Sequence, residues 1–109
     1  MSIIYSIPGP PAFLLTPSEI RDVVEGEVLT VECQAIANPP PSIIWMKESS
    51  ILNISTSESV QDRVATSRLV ISNFSLSDAG EYSCVAMNEI GNTSSPTFTV
   101  DIVGQLEHM

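Results

Sequence analysis

Positive charge is scarce in this sequence. Four Lys and Arg stand against 13 Asp and Glu, giving a net charge of −9 over 109 residues. Lys47, Arg21, Arg63 and Arg68 are too few to build a basic patch, which excludes recognition of a nucleic-acid phosphate backbone. The same deficit argues against an anionic membrane surface or a heparin-like polyanion. There is one histidine, His108, and there are two cysteines, so a histidine-based catalytic triad and a multi-ligand zinc site are both excluded. No cofactor is expected. The chain has no apolar run of the roughly 18 residues that a spanning helix needs, so no direct membrane insertion is expected of it. After Met1 come Ser2-Ile3-Ile4-Tyr5-Ser6, with neither a basic stretch nor a long apolar run, so no signal peptide is recognisable and the start reads as that of an excised module.

What is present reads as β-strand throughout. Hydrophobic residues make up 43% of the chain, enough for one packed core and too many for a disordered acidic tail. Val and Ile recur in short runs, Pro and Gly punctuate them, and no helical period lasts three turns. Pro8, Pro10 and Pro11 frame an extended entry, Phe13 to Thr16 reads as an edge strand stopped by Pro17, and Ile20 to Val24 resumes it. Gly26 marks a turn. Val28 to Ala35 alternates, with Leu29, Val31, Cys33 and Ala35 on one face. Asn38 to Ser42 is a rigid proline connection, and Ile43 to Lys47 a strand around Trp45. Residues 48–63 are polar and weakly patterned, as in loops or short edge strands. Arg68 to Ser72 places Leu69 and Ile71 inward, and Glu81 to Met87 does the same with Tyr82, Cys84 and Ala86. Asn88 to Gly91 reads as a hairpin turn with Gly91 at its positive φ. Thr97 to Val103 closes the sheet, with Phe98, Val100 and Ile102 inward.

Cys33 and Cys84 share the core-facing parity of their strands, and 51 residues separate them, which rules out a local metal knuckle. A disulfide is the favoured reading and a pair of free thiols the alternative. Closing a loop of that length stabilises a fold by about 4 kcal/mol in the chain-entropy description. Trp45 follows Cys33 on another strand at the same parity. Together with Asp78-Ala79-Gly80-Glu81-Tyr82-Ser83-Cys84, these residues resemble the signature of the immunoglobulin superfamily. The resemblance is closest to the intermediate (I-set) class, through Pro39-x-Pro41-x-Ile43-x-Trp45, Leu69-x-Ile71 with Phe74, and Cys84-x-Ala86-x-Asn88-x-x-Gly91. It implies an all-β immunoglobulin-like sandwich of two antiparallel sheets over residues 10–103, with one inter-sheet disulfide. Residues 1–9 then read as a linker or non-native leader and 104–109 as a tail, native or added. It also implies that Tyr82 forms a tyrosine corner, and that Asp78 holds the adjoining loop and pairs with a base, Arg63 first and Arg68 as the alternative. Trp45, Leu69, Asp78, Gly80 and Tyr82 are then stability residues, and no active site is expected.

Three N-x-[ST] sequons, at Asn53, Asn73 and Asn92, exceed the chance expectation of about one, and all fall in or beside turns. With the disulfide they point to the extracellular side of the plasma membrane or to secretion, as part of a larger protein. Parity turns Ile44, Met46, Val85 and Met87 outward. In the immunoglobulin topology their two strands are neighbours, so the four form one apolar patch, with Thr97 and Thr99 beside it, that is a candidate contact face. The Asn53 sequon lies near the edge of this sheet, where a glycan would shield part of the patch. The expected function is a non-catalytic protein-interaction or adhesion module of a modular receptor, with another protein as partner, either homophilic or heterophilic. The alternative is a spacer domain of a secreted matrix protein or of an intracellular muscle-type protein.

Overall fold

Residues that alternate between apolar and polar give each strand one face for a core and one for water. A computed structural model describes residues 7–18, 20–54 and 56–104. The described strands are β1 (Gly9–Leu15), β2 (Ile20–Val24), β3 (Leu29–Asn38), β4 (Ser42–Lys47), β5 (Ser50–Ile51), β6 (Thr56–Gln61), β7 (Val64–Ile71), β8 (Gly80–Met87), β9 (Asn92–Ser94) and β10 (Phe98–Val103). A 3₁₀ turn, Leu76–Asp78, precedes β8. One sheet has the order β1-β3-β7-β6 and the other β2-β10-β8-β4-β5, with β9 also paired to β8. The fold is an all-β sandwich with a Cys33–Cys84 disulfide between its sheets.

The amino-terminal edge departs from expectation. β1 begins at Gly9 and contains Pro10 and Pro11, with an irregular register against β3. An edge strand tolerates proline because one of its sides has no ladder to serve. Beyond Pro17 the chain does not resume that edge. It crosses to the opposite sheet, where β2 runs parallel to β10 and buried Val23 stands beside Ile102.

β3 continues past Ala35 to Asn38, and its core face of Leu29, Val31, Cys33, Ala35 and Ala37 is buried. β7 begins at Val64, four residues ahead of the expected Arg68. Its first inward positions are Ala65 and Ser67, one small and one polar, so they do not register as apolar alternation. The fold explains the buried serine: Ser67 Oγ accepts a 2.9 Å hydrogen bond from Trp45 Nε1, which an indole N–H in a core requires. Trp45 stands directly across from Cys84, and Ser67 directly across from Cys33. A covalent link and a hydrogen bond therefore tie the two sheets side by side. Trp45 meets Phe98 edge to face at 6.4 Å, and Phe98 stacks on Tyr82 at 5.8 Å.

The turn before β8 is held from within. Asp78 Oδ2 accepts from the Ser75 backbone N–H at 2.9 Å and from Ser75 Oγ at 3.1 Å, as a capping box does. The Tyr82 hydroxyl donates to the Asp78 carbonyl oxygen, so the tyrosine corner and the loop-holding role of Asp78 are both present. The expected ion pair is not. Arg63 sits on the turn ahead of β7, whereas Asp78 lies beyond its other end, and an eight-residue strand spans about 26 Å. Arg68 instead faces Glu32 across β3 and β7 and pairs with it at 3.6 Å. Gly80 has φ +148°, and a Cβ there would lie 2.5 Å from Glu48 Oε2. That oxygen accepts from the Glu81 N–H at 2.8 Å, so the glycine admits the bond.

The turn after β8 also corrects an expectation. Gly26 and Gly80 have positive φ, but Gly91 does not. The Asn88 side chain shapes this turn, its Oδ1 accepting from the N–H groups of Ile90 at 2.9 Å and Gly91 at 3.0 Å. Its Nδ2 donates to the carbonyls of Gly9 and Pro39, tying the turn to β1 and to the proline connection. Gly91 serves by its size, since a Cβ would stand 3.2 Å from that of Pro10.

Two outcomes test this account. Burial, reinforced by the charges of Asp78 and Glu48, pushes the Tyr82 phenol up to about 12 from its ordinary 10. The folded chain thus holds this proton more tightly than the unfolded one. The associated stability is complete below pH 10 and is lost as pH rises towards about 12. Tyr82→Phe should flatten that alkaline decline in a series of urea midpoints, and an unchanged slope would refute the assignment. Separately, Asp78→Ala should cost about 1 kcal/mol, whereas Arg63→Ala should stay within about 0.5 kcal/mol, both by chemical denaturation.

Candidate protein-binding face

The outward side of the second sheet collects the apolar residues that parity had turned away from the core. β4 and β8 pair antiparallel with Ile44 opposite Val85, Met46 opposite Ser83, and Ser42 opposite Met87. The four candidates Ile44, Met46, Val85 and Met87 are therefore brought together, and all are half-buried. Ile51 of β5 stands opposite Met46 and is 68% exposed, which extends the stripe to the sheet edge. Ile51 escaped the sequence reading because residues 48–63 show no clear alternation. No residue type there announces the turn: Glu48 and Ser49 both take positive φ, which Gly, Asn or Asp would have signalled, and the next two residues fold back onto β4.

β9 and β10 form the other flank, and a one-residue bulge separates them. Ser94 faces Val85 and Phe98 faces Tyr82, so three steps along β8 match four along the partner. Ser95 fills the irregularity. Its N–H donates to the Cys84 carbonyl at 2.8 Å, and its buried Oγ accepts from the Cys84 N–H at 3.0 Å. A side chain thus replaces a backbone ladder partner, as a bulge requires. Beside it a cavity of about 220 Å³ opens on the outer face, bounded by Met46, Ser83, Val85, Ser94 and Thr97, with Glu48 and Glu81 also lining it. Thr97 is exposed and borders this cavity, while Thr99 is half-buried opposite Glu81. A second depression, of about 240 Å³, lies on the opposite sheet and is lined by polar and charged residues, including the Glu32–Arg68 pair.

The sequon asparagines are all exposed. Asn53 follows β5, just past the edge of this sheet, as expected. Asn92 also borders the apolar stripe, because β9 places it directly across from Met87. Asn73 sits in the turn after β7 with φ 53°. Among the described residues no cluster of three or more His, Cys, Asp or Glu could hold a metal ion. No helix among them is long and apolar enough to cross a membrane.

The two-sheet topology, the inter-sheet disulfide beside a buried Trp and the tyrosine corner together define an immunoglobulin-type sandwich. A family model described as "Immunoglobulin domain" matches residues 10–88, and the chain belongs to that family. It is 39% identical to human peroxidasin homolog over 82 residues, covering 75% of this chain and 5% of that protein. It is 33% identical to human myotilin over 89 residues, covering 80% of this chain and 18% of that protein. The chain therefore spans only a small part of the curated relatives it matches. A chain of the Dpr2 Ig1-Ig2 complex with DIP-Theta Ig1-Ig3 superposes with a TM-score of 0.80 at 25% identity, over 88% of this chain and 33% of that one.

Ser95→Ala removes the acceptor for a buried N–H beside the disulfide and should cost about 1–3 kcal/mol. A urea midpoint unchanged from that of the parent chain would show that the bulge does not depend on this hydroxyl.

Proposed function

We propose that this chain is a non-catalytic, protein-binding immunoglobulin domain of the intermediate set, from the extracellular part of a modular receptor or adhesion protein. The domain takes in residues 9–103, one residue more than the sequence suggests, because Gly9 opens β1 opposite Asn38 and its carbonyl accepts from Asn88 Nδ2. One observation carries the binding role. Ile44, Met46, Val85, Met87 and Ile51 form a continuous apolar stripe on the outer face of a sheet, next to an open cavity. Such stripes mark interaction sites when they are contiguous, and methionines adapt to varied partner shapes. The Dpr2–DIP-Theta complex shows that a similar fold serves protein–protein association there. The intermediate set fits the division of the amino-terminal edge between both sheets and the single short strand β5 beside β4.

The extracellular placement is supported by the disulfide and by three exposed sequon asparagines. The spacer reading has its own support in the likeness to myotilin, and the two readings differ in what the outer face does. A tetramer of the chain should stain cells that carry a partner. Val85→Lys with Met46→Ser should reduce that staining about tenfold or more while the melting temperature stays near that of the parent chain. Val70→Ser on the opposite sheet should leave it unchanged. Equal staining by all three chains would remove the contact face and favour a spacer. When the chain is secreted from mammalian cells, a glycan should be found on Asn92 by peptide mass spectrometry. A fully unglycosylated product would count against the extracellular placement.

A further inference from the structure

We infer that the partner of this face is a different protein, one that presents basic side chains next to apolar ones, and not a second copy of this chain. The inference rests on the contact-face reading above and adds to it the chemistry of the partner. Its basis is where the charges fall. The outer face of the second sheet bears Glu81 of β8, Asp101 of β10 and Asp22 of β2, all exposed. Asp101 stands directly beside Asp22, and Glu81 faces Thr99, two residues along β10 from Asp101. Adjacent strands lie about 4.8 Å apart and diagonal neighbours about 7–8 Å apart, so each of these carboxylates is within about one Debye length, 8 Å, of the next. Glu48 lines the cavity beside Glu81.

Among the described residues, none of the four cations of the chain forms an ion pair with Glu81, Asp101 or Asp22, and Lys47 alone comes near Glu48, since both side chains reach the space beside Gly80. Lys47 takes the core-facing parity of Trp45, donates to the Ser77 carbonyl and lies 5.7 Å from the Tyr82 ring centroid. Arg68 is on the other sheet, paired with Glu32. Arg63 is on the β6–β7 turn of that sheet. Arg21 takes the parity of buried Val23 on the edge strand. The face is thus an apolar stripe running into an acidic end whose Glu81, Asp101 and Asp22 have no ion-pair partner. Two copies docked through it would bring up to six such carboxylates together, Glu81, Asp101 and Asp22 from each, which opposes homophilic association. A partner with Arg or Lys flanking apolar side chains matches both halves, and the field of the acidic end would speed its approach. The cavity beside Met46 and Val85, with Glu48 and Glu81 in its lining, suits a long side chain with an apolar stem and a cationic head.

The test uses two blocked peptides, acetyl-Leu-Arg-Leu-Arg-Leu-amide and its Glu counterpart, titrated into the isotope-labelled chain and followed by NMR. The Arg peptide should shift the amides of Met46, Ser83, Val85 and Thr97. It should bind about tenfold more weakly in roughly 0.5 M salt, and by a similar factor in Glu81→Lys with Asp101→Lys. Glu81→Gln with Asp101→Asn keeps the shapes and should give a smaller loss in the same direction, which preserves the test if the double reversal misfolds. Equal, salt-insensitive binding of both peptides at those amides would overturn the basic-partner inference and leave the contact face standing. Shifts confined to the opposite sheet, or none, would overturn both. Sedimentation at high concentration should show a monomer, and a dimer broken by Val85→Lys would overturn the exclusion of self-association.

Discussion

Two links placed side by side hold the sandwich, and most other features of the fold follow from them. The Cys33–Cys84 bond joins β3 to β8, while the Trp45–Ser67 hydrogen bond joins β4 to β7. Because Trp45 faces Cys84 and Ser67 faces Cys33, the four residues form one block spanning the core. The disulfide constrains the unfolded chain most. The tryptophan supplies the large apolar area, and its single polar atom has a partner inside. Aromatic packing then spreads from this block through Phe98 to Tyr82, and the Tyr82 hydroxyl fixes the turn that leads back into β8. Core, corner and loop are thus a single chain of contacts that starts at the inter-sheet links.

Much of this was legible in the sequence, where the inward side chain was large and apolar. Leu29, Val31, Trp45, Leu69, Tyr82 and Phe98 all lie where alternation put them. The reading failed where small or polar residues held inward positions. Ala65 and Ser67 concealed the first half of β7, and the role of Ser67 depends on a tryptophan 22 residues earlier, which no local pattern encodes. The switch of β2 to the other sheet was hidden for the same reason. The proline stop at Pro17 is local, but the choice of β10 as partner depends on residues at the far end of the chain. The Asp78–Arg63 pairing failed on length, because residue types suggested a match that the extent of β7 forbids.

The proposed contact face follows the same division. Parity alone turned Ile44, Met46, Val85 and Met87 outward, and the pairing of β4 with β8 put them together. Parity said nothing about the one-residue bulge at Ser95, which turns the ladder and opens the cavity beside Val85. Nor did it reveal that Asn92 stands across from Met87, because residues 92–94 lie between the expected Asn88–Gly91 turn and the last strand and carry no strand pattern of their own. A glycan there would border the apolar stripe from the β9 side, opposite the Ile51 edge and away from the acidic end. Modification of Asn92 and docking at Glu81 and Asp101 would then compete only over the middle of the face.

The net charge of −9 changes in meaning once it is mapped. In composition it only names partners the chain avoids. On the fold, the positive charges are withdrawn from one face by separate local causes: Lys47 by a carbonyl and an aromatic ring, Arg68 by a cross-strand carboxylate, and Arg63 by its turn on the other sheet. The carboxylates of Glu81, Asp101 and Asp22 stay exposed on that face. Side-by-side acids on neighbouring strands, like Asp101 and Asp22, disfavour the isolated sheet. That arrangement costs stability and sets acids without an ion-pair partner beside an apolar stripe, a combination that bases flanking apolar side chains on a partner would relieve.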